Sequence, residues 1–157
     1  TFLEHGFHVV CDKPVALTLE EAKTLQETAA KKKCLFMITH AYTGYPMVKQ
    51  AKQMIRNGEL GEVLKVVVEY FQGWVPFRLH GKGKGDKAWK FDPKISGPSL
   101  TVADIGTHAE NLAHYVTELE IQELCAQSTS FLAGAGLEDD ADVLILGTET
   151  GAKTVMP

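Results

Sequence analysis

Two short, nearly continuous apolar runs stand in the first part of the chain, FHVVC at 7–11 and LFMIT at 35–39. Runs of this kind, rich in β-branched residues, predict strands buried on both faces, as in a parallel sheet. The segment between them opens on a capping box, Thr18 with Glu21, and keeps Ala22, Leu25 and Ala29 on one face to about Lys32, which predicts an amphipathic helix. Lys31, Lys32 and Lys33 then complement the negative end of its dipole. Strand, helix, strand makes a βαβ unit, expected to be right-handed. Before it, TFLEHG reads as the last turn of a helix stopped by Gly6, so the chain is expected to be a piece of a longer protein.

Beyond residue 40 the pattern changes. Pro46 to Asn57 is a helix with Val48, Ala51 and Ile55 inward. Val63–Trp74, Ile121–Phe131, Ala141–Leu146 and Ala152–Met156 read as strands separated by one helix and turns, which predicts a mostly antiparallel or mixed sheet with helices on one face. The fold class is therefore α/β, a parallel βαβ segment followed by an α+β domain. The boundary falls between Ile38 and Tyr45, dividing the chain into 1–42 and 43–157. The Gly- and Lys-rich stretch between Val75 and Leu100 is long for a connection and suggests a lid or binding loop, with Lys82, Lys84 and Lys87 at a solvated tip and Trp89-Lys90 in a more ordered part.

The helix predicted over Leu100–Val116 carries two stripes. Ile105, Ala109, Leu112, Ala113 and Val116 form a packing face, and Asp104, His108, Asn111 and Tyr115, again spaced by fours and threes, form a polar one beside it. Taken alone, Asp104 as a cap and His108 as a satisfied histidine explain that stripe. Other positions change the balance. Lys13 follows directly on the first strand, where an open α/β sheet binds ligands, and Pro14 after it fixes the backbone and is a candidate cis peptide. His40 and Tyr42 follow the second strand, at the same sheet edge, as pocket lining or as turn residues. Lysine, histidine and aspartate suit acid–base chemistry on an alcohol or carbonyl: the ammonium stabilises charge on oxygen, the imidazole titrates near neutrality, and the carboxylate orients it or raises its basicity. The catalytic candidates are thus Lys13, Asp104 and His108, with Tyr42, Trp89, Lys90 and Asn111 as candidate substrate contacts.

Composition narrows the classes. The chain is 45% hydrophobic, 23% charged and 8% aromatic, which marks a folded protein, and its net charge of -4 gives no footprint for nucleic acid. Cys11, Cys34 and Cys125 are scattered and make no C-x-x-C, so free thiols in a reducing, cytoplasmic setting are expected and a zinc site is not. His114 lies on another helical face from His108, which leaves Asp104 and His108 short of a third metal ligand. No apolar run reaches the length of a membrane span.

Four stretches together resemble the glucose-fructose oxidoreductase and inositol 2-dehydrogenase (Gfo/Idh/MocA) family. GFHVVCDKPVALTLEEAKTL is similar to the stretch bearing that family's Glu-Lys-Pro motif, HAYTGYPMVKQAKQMIRNGELGEV to the next stretch, and WKFDPKISGPSLTVADIGTHAENLAHY to its W-R-x-D-P, Gly-rich and D-x-G-x-H run, in the family's order and spacing. The resemblance implies the tail of a Rossmann domain followed by a substrate domain, and an NAD- or NADP-dependent oxidoreductase acting on a sugar, cyclitol or related polyol. It implies that Asp12, Lys13 and Pro14 contact the cofactor, that Lys13 polarises the substrate oxygen, and that His108, with Asp104 as helical partner, moves the hydroxyl proton. It also implies homo-oligomers through the open sheet face. The chain departs from the pattern at Asp12, where Glu is usual, and at Thr43 and Lys90, where many members have Arg; a lysine does not reproduce a bidentate arginine contact. No G-x-G-x-x-G is present, so this chain alone is expected neither to hold the dinucleotide tightly nor to turn over substrate. A non-catalytic sensor of the same fold, or a hydrolase in which the nicotinamide cycles in place, uses the same residues.

Overall fold

The structure is a computed structural model and describes residues 1–71, 73–75, 87–131, 140–147 and 153–156. The chain falls into two compact units, Thr1–His40 and Ala41–Pro157.

In the first unit a single 3-10 turn, Leu3–His5, ends at Gly6, whose φ of 83° is the left-handed conformation that glycine adopts without steric cost. β1 (Val9–Asp12) and β2 (Phe36–Thr39) pair in parallel, from Val9 opposite Phe36 to Asp12 opposite Thr39. α1 (Leu19–Lys32) connects them. The Thr18 side chain accepts from the Glu21 N–H, and the Glu21 carboxylate accepts from the N–H groups of Thr18 and Leu17, completing the capping box read in the sequence. The helix closes at Lys33, φ 54°, with the Cys34 N–H returned to the Ala29 carbonyl. Leu3, 1% exposed, is the anchor of this unit.

Burial in the two strands is one-sided, which corrects the expectation of strands buried on both faces. Val10 and Met37 are 64% and 55% exposed, whereas Val9, Cys11, Phe36 and Ile38 are half-buried. Alternate strand residues point to opposite faces, and among the described residues one of those faces lacks a covering layer.

The second unit begins with a 3-10 turn, Ala41–Gly44, and α2 (Pro46–Arg56), whose first position is taken by a proline that needs no hydrogen-bonded N–H. β3 (Lys65–Val67) follows, then a 3-10 turn Lys87–Phe91 and the short α3 (Pro93–Ser96). A π-helical turn, Val102–Gly106, runs directly into α4 (Thr107–Thr117). β4 (Ile121–Thr129), β5 (Asp140–Gly147) and β6 (Lys153–Met156) complete the unit. The sheet order is β3-β6-β5-β4, parallel between β3 and β6 and antiparallel elsewhere. This is the mixed, mostly antiparallel sheet that the strand pattern predicted.

Three details depart from the pattern. The strand expected over Val63–Trp74 is hydrogen-bonded only at 65–67, because its one ladder partner among the described residues, β6, matches it over three positions; Tyr70 lies beyond the ladder and bonds elsewhere. The stretch between Val75 and Leu100 is not all loop: from Lys87 onward it folds into a turn and a helix, and Val75 and Leu100 are buried together with Trp74 and Phe91 against them. Lys82 and Lys84, and the side chain of Lys87, lie outside the described residues. Finally, the helix read as regular from Leu100 begins with a turn in which the Thr107 N–H reaches back five residues to the Val102 carbonyl.

α2 and α4 pack against each other. Lys52 on α2 pairs with Glu118 at 2.9 Å and lies 4.3 Å over the Tyr115 ring, and Arg56 adds a longer contact to Glu118, 3.6 Å. Among the described residues no helix is long and apolar enough to cross a membrane.

Candidate functional site

Parallel pairing brings the C-terminal ends of β1 and β2 side by side, and Asp12 stands at that end opposite Thr39. Its Oδ1 accepts two hydrogen bonds, from the Lys13 N–H at 2.9 Å and from the Thr39 hydroxyl at 2.7 Å. The carboxylate thus braces the start of the loop to the neighbouring strand. The Lys13–Pro14 peptide bond is cis, and the Lys13 side chain is half-buried. His8, at the opposite end, accepts from the Leu35 N–H through Nδ1 at 2.8 Å and ties the same two segments.

In the second unit the π-helical turn presents Asp104 and α4 presents His108. Thr107 to Thr117 is helical for the reason seen in the sequence: Ala109 and Ala113 are buried with Ile105, so the apolar stripe seats the helix and leaves the polar stripe beside it half-buried. Asn111 and Tyr115 lie on that half-buried side. The Asp104 Oδ1 receives the Lys90 ammonium at 2.6 Å, with the two side chains 18% and 17% exposed. Lys90 Nζ also lies 5.3 Å from the centre of a Trp74 ring and 5.8 Å from that of Trp89, within reach of cation–π attraction.

His108 is faced by Tyr42, whose ring centre is 4.6 Å from the imidazole at an interplanar angle of 49°. The Tyr42 hydroxyl meets that of Tyr70 at 3.1 Å, and the two rings stack with centroids 6.1 Å apart. This hydrogen bond, then burial, then the charges of Tyr70, Tyr45 and Asp104 push the Tyr42 phenol up to about 12. Near neutrality Tyr42 is therefore a fixed neutral group beside the imidazole.

Of the residues singled out from the sequence, Tyr42, Lys90, Asp104 and His108 come together in this unit, with Trp89 at its edge. The partner of Asp104 that the sequence did not announce is Lys90, fourteen positions earlier and in a different element. Tyr70 and Trp74 were also missed. The aromatic cluster at the end of the apolar stretch, EYFQGW, was the available signal for them.

Residues 48–156 match the GFO/IDH/MocA C-terminal domain, and residues 1–40 match an oxidoreductase family described as having an NAD-binding Rossmann fold. An uncharacterised oxidoreductase of Bacillus subtilis, YfiI, is 33% identical over 156 residues, which is 98% of this chain and 39% of that protein. The levoglucosan dehydrogenase of Pseudarthrobacter phenanthrenivorans is 32% identical over 113 residues, 72% of this chain and 27% of that protein. Among solved structures, an inositol dehydrogenase homolog from Azotobacter vinelandii complexed with NAD+ superimposes with a TM-score of 0.88 at 36% identity, covering 98% of this chain and 40% of that one. An inositol dehydrogenase homolog from Azotobacter vinelandii complexed with NADH and myo-inositol gives a TM-score of 0.84 at 35% identity, covering 98% of this chain and 38% of that one. The chain thus spans about two fifths of the length of the relatives that it matches end to end.

Proposed function

The chain belongs to the Gfo/Idh/MocA oxidoreductase family, and from that premise we propose that the protein carrying it is a nicotinamide-dependent dehydrogenase or reductase of a sugar, cyclitol or related polyol. The observation that carries the reading is the cluster around His108: an imidazole seated on a tyrosine ring, on the same helical run as a carboxylate held by an ammonium. Such a group suits the transfer of a hydroxyl proton.

The nicotinamide is implied by the family, and the residues present fit it on one side. A loop that leaves the C-terminal end of a parallel strand pair, braced by Asp12, stands where open α/β sheets take their ligands, and it carries a half-buried lysine. Asp12, Lys13 and Pro14 would flank the cofactor there. When bound, the nicotinamide supplies the acceptor or donor of hydride. Lys13 holds the substrate oxygen and stabilises negative charge on it. His108 takes the proton from the hydroxyl in oxidation and returns it in reduction. Asp104 supplies a negative charge that favours the imidazolium formed when His108 accepts the proton. Tyr42 fixes the imidazole from one side, and Trp89 and Asn111 are assigned to substrate contact. The polyol class rests on the names of the levoglucosan dehydrogenase and of the inositol dehydrogenase homolog with myo-inositol. Self-association through the open sheet face is part of this reading, since β4 is exposed along nearly its whole length.

The test is substitution in the full-length enzyme. His108→Asn is expected to lower kcat by about 10²- to 10⁴-fold, as loss of a positioned acid–base group does, and Lys13→Met to lower kcat/KM. Undiminished turnover by His108→Asn overturns the assignment.

A further inference from the structure

Lys90, expected from the sequence as a substrate contact, has no part in the acid–base reading of the site. Its Nζ lies 2.6 Å from Asp104 Oδ1 and within cation–π range of two indoles, Trp74 and Trp89, and the side chain is 17% exposed. Three features hold it: a charge-assisted hydrogen bond, aromatic faces beside the ammonium, and a backbone fixed by the Lys87–Phe91 turn, whose Lys90 carbonyl receives the Ser96 hydroxyl at 2.9 Å.

Asp104 stands four residues before His108, on the π-helical turn that runs into α4, and both are half-buried; opposite charges so spaced attract, and more so where water is partly excluded. A carboxylate alone at that position would favour the protonated imidazole. A base that holds its proton at working pH does not take one from a hydroxyl. A cation on the far side of the carboxylate offsets this. Among the described side chains of this unit, three other groups stand near α4 and are engaged elsewhere. Tyr42, from the Ala41–Gly44 turn, is neutral with its hydroxyl on Tyr70. Lys52, from α2, is committed to Glu118 and Tyr115 at the other end of α4. His114 lies further along α4, with Nδ1 3.0 Å from the Leu119 carbonyl. β6, which also lies against α4, bears Lys153, whose side chain lies outside the described residues.

We propose that Lys90 is a positioning residue that sets the proton affinity of His108 through Asp104: its ammonium orients the carboxylate and keeps it ionised, and by sharing its charge loosens the hold of the imidazole on its proton. The proposal rests on the reading of His108 as the acid–base group, but it makes a claim about titration that stands apart from turnover.

The experiment is a histidine titration by nuclear magnetic resonance on the full-length protein, with the His108 signal assigned by its loss in His108→Asn. Lys90→Met keeps the length and apolar stem of the side chain and removes the charge. It is expected to raise the His108 midpoint by about one pH unit, Lys90→Arg to restore it, and Asp104→Asn to lower it. The acid limb of the kcat/KM profile moves in the same direction as the midpoint. Retention of the Tyr42–Tyr70 contact, read from the alkaline tyrosine titration, shows that Lys90→Met leaves the surrounding structure in place. An unmoved or lowered midpoint in a folded Lys90→Met protein overturns the proposal. If the midpoint rises while His108→Asn retains full turnover, the coupling stands and the catalytic reading of His108 fails.

Discussion

Tyr42 lays its ring against His108, centroid to centroid 4.6 Å, while its hydroxyl is held by Tyr70 at 3.1 Å. One aromatic side chain therefore joins the 3-10 turn after the first unit, the segment beyond β3 and the helix that carries the imidazole.

This contact predicts an alkaline signature. The phenol of Tyr42 is raised from 10.0 to about 12, chiefly by its hydrogen bond with Tyr70. Because the folded value lies above the unfolded one, the stabilisation is complete below pH 10 and is lost as the pH climbs from there towards 12. Ultraviolet titration of tyrosinate is expected to show one phenol that resists ionisation until about pH 12. Tyr70→Phe removes the hydroxyl that raises it, so the late ionisation moves down towards the ordinary range. A late phase that survives Tyr70→Phe unchanged contradicts the pairing.

Gly106 gives a second prediction, about packing inside the π-helical turn. A Cβ on it would lie 3.1 Å from Val102 Cγ1 and 3.4 Å from Val102 Cβ, tight for a β-branched neighbour with few rotamers. Alanine for glycine within a helix is otherwise favourable by up to about 1 kcal/mol, while overpacking costs about 1–3 kcal/mol. Gly106→Ala is therefore expected to be neutral or destabilising in the native background and more favourable by about 1 kcal/mol when Val102 is Ala. Denaturant unfolding of the four proteins of the cycle reads this directly. Equal effects in both backgrounds would remove the steric explanation for the glycine of D-x-G-x-H.

The contrast between Thr18 and Lys90 shows where sequence reasoning reached and where it stopped. Thr18 and Glu21 are three residues apart, and the capping box is a local hydrogen-bond pattern that spacing alone specifies. The apolar stripes of α1, α2 and α4 and the cores of β1, β2 and β4–β6 are legible for the same reason, since the period of each element is written into adjacent residues. Strand length is different. Whether Val63–Trp74 stays in a sheet depends on how far a partner runs beside it, and β6 matches it over only three positions. One-sided burial of Val10 and Met37 likewise depends on what covers a face, which periodicity does not encode. The candidate site divides along the same line. Asp104 and His108 stand out within one helix, whereas the Lys90 that holds Asp104 and the Tyr70 that holds Tyr42 arrive from elements distant in sequence.

Asp12 yields a prediction that separates bracing from cofactor contact. Its Oδ1 accepts from the Lys13 N–H and from Thr39 Oγ1, and an asparagine can accept both bonds through its side-chain carbonyl. Asp12→Asn is expected to change stability little, whereas Thr39→Val, which removes one donor at an exposed position, costs about 1 kcal/mol or less. In the full-length enzyme Asp12→Asn should then retain dinucleotide affinity, measured by calorimetry. A large loss of affinity with the fold intact would show that the charge of the carboxylate, and not only its bracing bonds, serves the cofactor.

Glu118 closes α4 in the left-handed region, φ 58°, an unfavourable conformation for any residue but glycine, and two effects of opposite sign meet there. Its carboxyl is held below the usual 4.5, first by the hydrogen bond from Lys52 and then by the charges of Lys52, Arg56 and His114, with burial acting against them. A depressed folded value means that the unfolded chain binds the proton more readily, so this contribution is present above pH 4.5 and is lost as the pH falls through the folded value. Glu118→Gln keeps the backbone strain and loses the ion pairs: its Tm is expected below that of the native protein at pH 7, with the gap closing in acid and narrowing with added salt. Glu118→Gly loses the same pairs but relieves the strain, so in acid it should become the most stable of the three. Thermal unfolding of all three across pH separates the two effects; a Gln variant whose deficit persists undiminished in acid would show that the ion pairs with Lys52 and Arg56 are not what stabilises this turn.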